Sequence, residues 1–121
     1  SIQKASGCFS PIRLNAGGPS LTFEGNAFVA DISTNPQYFS DPHTYTNSQL
    51  NAPDLYKTER GSSFDATPSS PAILTYNIPV PNGTYTLKTH HAELWFGFGG
   101  RTATAGQRVF DILVEGQLVK D

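Results

Sequence analysis

Along this chain apolar and polar positions alternate over short stretches or fall into brief clusters, and nowhere do apolar side chains recur at the spacing of a sustained helix. Four stretches are rich in β-branched and aromatic residues and bounded by turn formers: PIRLNAG (11–17), AILTYNIPV (72–80), TYTLKTHHAELWF (84–96) and QRVFDILVEG (107–116). Each predicts a strand. Asn82-Gly83 and Glu115-Gly116 sit beside such runs and suit the positive backbone angles of tight turns, so antiparallel reversals are expected at both. From residue 18 to 71 the sequence reads mostly as loop, with the apolar islands NAFVADI, QYF and DLYKTER among Pro, Ser, Asn and Asp. Loops of that extent on a rigid sheet commonly form a recognition surface. The chain's 11 Gly and 9 Pro punctuate it too often for long helices. The expected architecture is all-β, an antiparallel sandwich of two sheets.

Length and charge narrow what such a sandwich can do. A chain of 121 residues holds one domain with one core; residues 1–10 read as an N-terminal extension and 11–121 as the domain. The formal net charge is -2, 15% of residues are charged and no Lys/Arg cluster forms, so the footprint of a nucleic-acid binder is missing. No apolar run approaches the roughly 20 residues that cross a bilayer, so no membrane insertion is expected. The single cysteine, Cys8, cannot form an internal disulfide and is expected to be a buried or terminal free thiol. Richness in Thr, Ser, Asn, Gly and Pro suits an extracellular β-protein.

The densest chemistry lies in HHAELWFGFGG (90–100), where the only tryptophan, two phenylalanines and three glycines crowd at a strand end. Two readings are open: Trp95 and Phe96 form a core corner, or they form a binding platform. Strand alternation would turn only one of two neighbours outward, so presenting both requires a bulge or turn. Glu93 beside them can accept hydrogen bonds from a ligand or pair with Arg108 or Arg101. Tyr56 either pins its loop or stacks on a ligand, whereas Glu59 and Arg60 read as members of a partly buried charge network. His90 and His91, adjacent in a strand, point to opposite faces and cannot readily share a metal. Asp31, Asp41, Asp54 and Asp65 offer oxygens for a structural calcium but lack the spacing of a recognised loop, so no cofactor is expected. Nothing pairs two carboxylates across a cleft as glycoside hydrolysis needs, and no nucleophile-base or phosphate-loop pattern occurs, so an enzyme is not expected.

Five blocks occur in the order RLNAGGP (13–19), LYKTER (55–60), YNIPVPNGTYTLK (76–88), AELWFG (92–97) and GQRVFDILVEGQLVKD (106–121). Together they closely resemble the malectin family over essentially the whole chain. The resemblance implies a jelly-roll-like β-sandwich that binds glycans without cleaving them, secreted or at the cell surface, and of the secreted bacterial type. The ligand it implies is a glucose-type di- or oligosaccharide, held by loop aromatics. The family's aromatic pair after the AE motif falls on Trp95 and Phe96, and Tyr45, with Tyr38 behind it, is the nearest counterpart of a tyrosine that precedes the LY.TER block. Tyr56 and Glu93 complete the expected ligand-binding set.

The sequence also departs from the family. Gly61 stands where a tyrosine follows TER, and the family's closing strands do not follow VKD. A sandwich without them exposes unpaired edges, so a second polypeptide is expected to supply those strands. The alternative function is a structural or assembly module of a bacterial surface protein.

Overall fold

The computed structural model describes residues 1–5, 7–31, 44–61 and 73–120. Among these the fold is all-β, a β-sandwich of short strands with one 3-10 turn at Asp54–Tyr56 and no α-helix. The strands are β1 (Ile2–Lys4), β2 (Leu14–Ala16), β3 (Leu21–Phe23), β4 (Asn26–Asp31), β5 (Thr44–Thr46), β6 (Thr58–Arg60), β7 (Tyr85–Leu87), β8 (Ile112–Val114) and β9 (Gln117–Lys120). They pair as β1-β7, β2-β4-β3, β5-β6 and β8-β9.

Four pairings are antiparallel, as expected, but β2 runs parallel to β4, with Leu14 opposite Val29 and Ala16 opposite Asp31. Two hairpins account for much of the local order. Glu115-Gly116, with φ of 52° and 77°, closes β8 onto β9 as the sequence suggested. Glu24-Gly25 does the same between β3 and β4, with φ of 49° and 77°, inside a region that the sequence marked as loop. The described part of 18–71 therefore holds four strands rather than mostly loop.

Three expectations need correction. Residues 73–80, the described part of the expected 72–80 strand, form no strand; Pro79 and the following Pro81 remove ladder donors. Asn82-Gly83 accordingly closes no hairpin, because β7 pairs instead with β1, Ile2 facing Leu87. The ten residues set apart as an extension thus contribute a strand, and Ile2 also bridges to Ile12. Cys8 is an exposed free thiol, the terminal and not the buried one of the two states expected.

Packing is anchored by two buried polar clusters. Asn15, fully buried, donates Nδ2 to the Pro19 carbonyl at 2.7 Å and accepts from the Thr58 hydroxyl at 3.1 Å. This fixes β2 against β6. Gly17 lies at the same crossing with φ 72°; a Cβ there would stand 1.9 Å from the Glu59 carbonyl oxygen, so only glycine lets the two backbones meet. The second cluster is the Arg60 guanidinium on the Asp31 carboxylate. Its Nε lies 3.0 Å from Oδ2 and its Nη2 3.2 Å from Oδ1, with side-chain exposures of 0% and 3%. Nη2 also donates to the Asp31 carbonyl, and the Tyr76 hydroxyl donates to Oδ2 at 2.7 Å. Burial, and then Asp31, pushes the Tyr76 phenol far up, keeping it a donor.

Because each buried charge here is balanced by the other, removing one strands its partner. Arg60→Ala is expected to cost about 3–5 kcal/mol in urea denaturation. Tyr76→Phe, which removes one donor to a charged acceptor, is expected to cost about 1.5–3 kcal/mol in the same assay.

Candidate functional site

The site grows from Leu94, only 1% exposed. The buried Asn47 donates Nδ2 to its carbonyl at 3.0 Å, while Asn47 Oδ1 accepts from the Gln49 amide at 2.9 Å. With Leu94 driven inward, the next residue turns outward, and Trp95 is 38% exposed. The expected 84–96 strand is formed only at Tyr85–Leu87, and beyond Trp95 the chain coils: the Gly97 amide reaches the Arg101 carbonyl at 2.9 Å and the Arg101 amide the Phe98 carbonyl at 3.1 Å. Gly97, Gly99 and Gly100 hold φ of 88°, 58° and 77°, values that L side chains rarely adopt, which is why glycines follow the aromatic pair. This turn presents Trp95 exposed and Phe96 half-buried.

Glu93 organises the turn. Its Oε1 accepts from the amides of Trp95 at 2.8 Å and Phe96 at 3.0 Å. The same carboxylate pairs with Arg108, Nε to Oε2 at 2.9 Å and Nη2 to Oε1 at 3.3 Å. Of the two arginines the sequence offered, Arg108 is its partner. The Arg108 bond above all holds the Glu93 carboxyl down at about 2; burial opposes it, and the two amides add to the lowering.

Tyr45 comes from β5 and stands edge-on to Trp95, with centroids 5.4 Å apart and planes at 76°. The Arg101 guanidinium lies over the indole, 3.7 Å from its centroid, and its Nε donates to the Trp95 carbonyl at 2.9 Å. Arg108 lies 5.1 Å from the centre of the Phe96 ring. Tyr45, Trp95, Phe96 and Glu93 are therefore brought together, and one indole face is already occupied by Arg101.

Tyr56 is placed differently. Its ring packs edge-on against Phe23 and His90, at 5.9 and 5.6 Å, and its hydroxyl is 3.0 Å from His90 Nδ1. It pins the 3-10 turn to β3 and has no described contact with Trp95. A half-open cavity of about 180 Å³ borders this second ring cluster, lined by Arg13, Phe23, Asn26, Phe28, Lys88 and His90 among others. None of Tyr45, Tyr56, Glu93, Trp95 or Phe96 lines it. His91 stacks on Phe110 and meets the Thr89 hydroxyl at 2.9 Å, so the two histidines go separate ways.

Among the described residues no group of three or more His, Cys, Asp or Glu side chains can hold a metal. Of the four aspartates weighed for calcium, Asp31 is engaged by Arg60 and Asp54 by Lys57. Asp41 and Asp65 lie outside the described residues, as does Tyr38. No described helix is long and apolar enough to cross a membrane.

The residue that sequence reading placed elsewhere is Glu59. Register sets Tyr45 opposite Glu59 across β5 and β6, so the two side chains share a face. Burial, with a contribution from Glu93, raises the Glu59 carboxyl above its ordinary value, and Arg108 opposes this. Only the pairing of β5 with β6, hidden in an apparent loop, could have exposed this.

The family model of the malectin domain matches residues 10–121. The chain belongs to the malectin family. Three probable LRR receptor-like serine/threonine-protein kinases of Arabidopsis thaliana are similar to this malectin domain. One is 33% identical over 75% of the chain, a second 26% over 93% and a third 41% over 54%. The malectin domain spans only 8%, 14% and 6% of their respective lengths. These relatives are plant receptor-like kinases and lend no support to the expected bacterial secreted type. No solved structure matches the chain.

The Glu93 carboxyl gives a pH test with a definite sign. Its folded value of about 2 lies below the ordinary 4.5, so its contribution is complete above about 4.5 and is lost as pH falls toward 2. Emission of the single tryptophan is expected to change across that window. Glu93→Gln should already show the acid-type emission at neutral pH and should no longer respond there.

Proposed function

We propose that this malectin domain is a non-catalytic carbohydrate-binding module. Its ligand is a glucose-type di- or oligosaccharide seated against Trp95 and Tyr45. The observation that carries this reading is the exposed Trp95, raised on buried Leu94 and braced by Tyr45, at the position where the family places its sugar-binding aromatics. A pyranose presents a face of C–H groups that stacks on an aromatic plane, while its hydroxyls need fixed partners at the rim. Phe96 extends the apolar surface and Glu93 holds both residues in place. Tyr56 supports the domain from the neighbouring ring cluster. Catalysis has no part here: Glu93, held ionised by Arg108, has no proton to give a leaving group. A secreted or cell-surface location fits a module shared with receptor-like kinases. Affinity in the millimolar to micromolar range, roughly -4 to -8 kcal/mol, is expected of so small a contact.

Calorimetry against glucose, galactose, mannose and xylose oligosaccharides tests the proposal. One sugar class is expected to saturate the wild type and to lose measurable binding with Trp95→Ala and with Tyr45→Ala, whereas Tyr56→Phe retains it. Failure of every sugar to bind the folded wild type overturns the reading.

A second reading, assembly with another polypeptide that supplies further strands, rests on the exposed apolar side chains of 109–119. Val109 is 81% exposed, and Phe110, Leu113, Leu118 and Val119 are each 56% or more. Exposed apolar side chains gathered on one hairpin mark an interaction site. Sedimentation of the wild type beside a Leu113→Glu, Leu118→Glu double variant checks it: concentration-dependent association that the charges abolish supports assembly, and a monomeric wild type removes this reading.

A further inference from the structure

Asn82 is an exposed side chain for which neither the backbone nor the packing has a use. The Asn82-Gly83 pair closes no hairpin, because β7 pairs with β1. Nor does Asn82 take the positive φ that a tight hairpin turn asks of asparagine; among the described non-glycine residues Glu24 and Glu115 do. Its carboxamide is bonded to nothing among the described residues. The fold secures the surrounding backbone by other means. The Thr84 carbonyl accepts from the Ala5 amide at 2.8 Å, the Tyr85 hydroxyl donates to the Pro81 carbonyl, and the Tyr85 ring meets Phe9 edge-on at 5.2 Å. Residues 81–85 are thus held by main chain and ring, and the Asn82 amide and the Thr84 hydroxyl, both exposed and unbonded, are left over. These two groups belong to one motif. Asn82 is followed, after one residue that is not proline, by a hydroxyl residue, and it is the only asparagine of the sequence so placed. Asn15 and Asn47, by contrast, are buried and spend their amides on carbonyls.

We propose that Asn82 is a modification site of the secretory pathway, its carboxamide nitrogen carrying an N-linked oligosaccharide. This rests on the secreted or cell-surface reading, which the similarity to receptor-like kinases supports. The donor is an oligosaccharide on a polyprenyl diphosphate. Nδ2 of Asn82 bonds to the anomeric carbon of the sugar, the bond from that carbon to the diphosphate oxygen breaks with its electron pair, and Nδ2 gives up one proton. The lipid diphosphate leaves, and nothing is oxidised or reduced. Thr84 supplies the hydroxyl that the acceptor motif requires, and Gly83 between them brings no side chain to obstruct either. A bulky sugar is compatible with the fold only where the asparagine is at the surface and free, and Asn82 is both. The sugar is attached two residues from Val80, which is 38% exposed, and on the loop that the Phe9–Tyr85 pair holds, so it adds a hydrated cover to apolar surface. No described hydrogen bond or ring contact joins residues 81–85 to Tyr45, Glu93, Trp95 or Phe96.

The test sends the 121-residue chain through the secretory pathway of cultured mammalian cells behind a cleavable leader, so that entry does not depend on where the protein naturally resides. Intact mass is read before and after treatment with peptide N-glycosidase, and the glycopeptides are mapped. Wild type is expected to carry hexose and N-acetylhexosamine mass on the peptide that contains Asn82 and to lose it to the enzyme. Asn82→Gln and Thr84→Ala are expected to lack that mass from the outset, whereas Thr84→Ser, which restores the hydroxyl, regains it. The substituted groups have no partner in the fold, so every variant is expected to be secreted and to melt cooperatively. Wild type that emerges unmodified overturns the site and leaves the secreted reading standing. Enzyme-sensitive sugar that persists in Asn82→Gln overturns it too, because another residue would then be the acceptor. Protein isolated from its natural source without the sugar, where the leader-driven chain carries it, overturns the proposal together with the secreted reading.

Discussion

A guanidinium and a carboxylate removed from water together set the terms for the rest of this domain. Separately, neither Arg60 nor Asp31 could be buried; together, with the Asp31 carbonyl and the Tyr76 hydroxyl completing the donor and acceptor count, they hold the end of β6 against the end of β4. Tyr76 lies in a stretch without strand partners, so this hydroxyl also fixes a segment that has no ladder to hold it. The position of β6 in turn sets β5 by register, and β5 carries Tyr45 to Trp95. The geometry of the candidate site is thus set by a charge pair that ties β6 to β4, away from the rings themselves.

Charge at the site itself is arranged in the opposite manner. Glu93 and Arg108 are partly exposed and bonded to each other, and Arg101 rests on the indole with its Nε on a backbone carbonyl. Screening by water makes such pairs cheap to form and to rearrange. The domain therefore combines a rigid, dry ionic anchor with a wetter set of arginines and carboxylates around the rings. A ligand that approaches the covered indole face has to displace Arg101, whereas one at the Tyr45 side meets the edge of a second ring.

What the sequence disclosed follows from which signals are local. The all-β class was legible from alternation and from the scarcity of helical periodicity, and the Glu115-Gly116 turn from a residue pair that favours positive φ. The same dipeptide at 24–25 was passed over because its flanking strands, LTF and NAFVAD, are short and only partly buried. Conversely, Asn82-Gly83 carries a stronger turn signal but closes no hairpin, since strand pairing is decided by the available partner, here β1 from the chain's first residues. At the site, Trp95, Phe96 and Glu93 were legible because they are consecutive or nearly so. Tyr45 depended on family resemblance, and Glu59 on a register that only the folded chain displays.

The bonds that hold the turn at residues 95 and 96 reach backbone amides and not ring atoms. Every residue type except proline offers the same amide, so the identities of both side chains can change while Glu93 keeps the loop in its course. A lineage can in this way exchange indole for phenol, or a ring for an aliphatic chain, and alter what is recognised without having to redesign the scaffold that presents it.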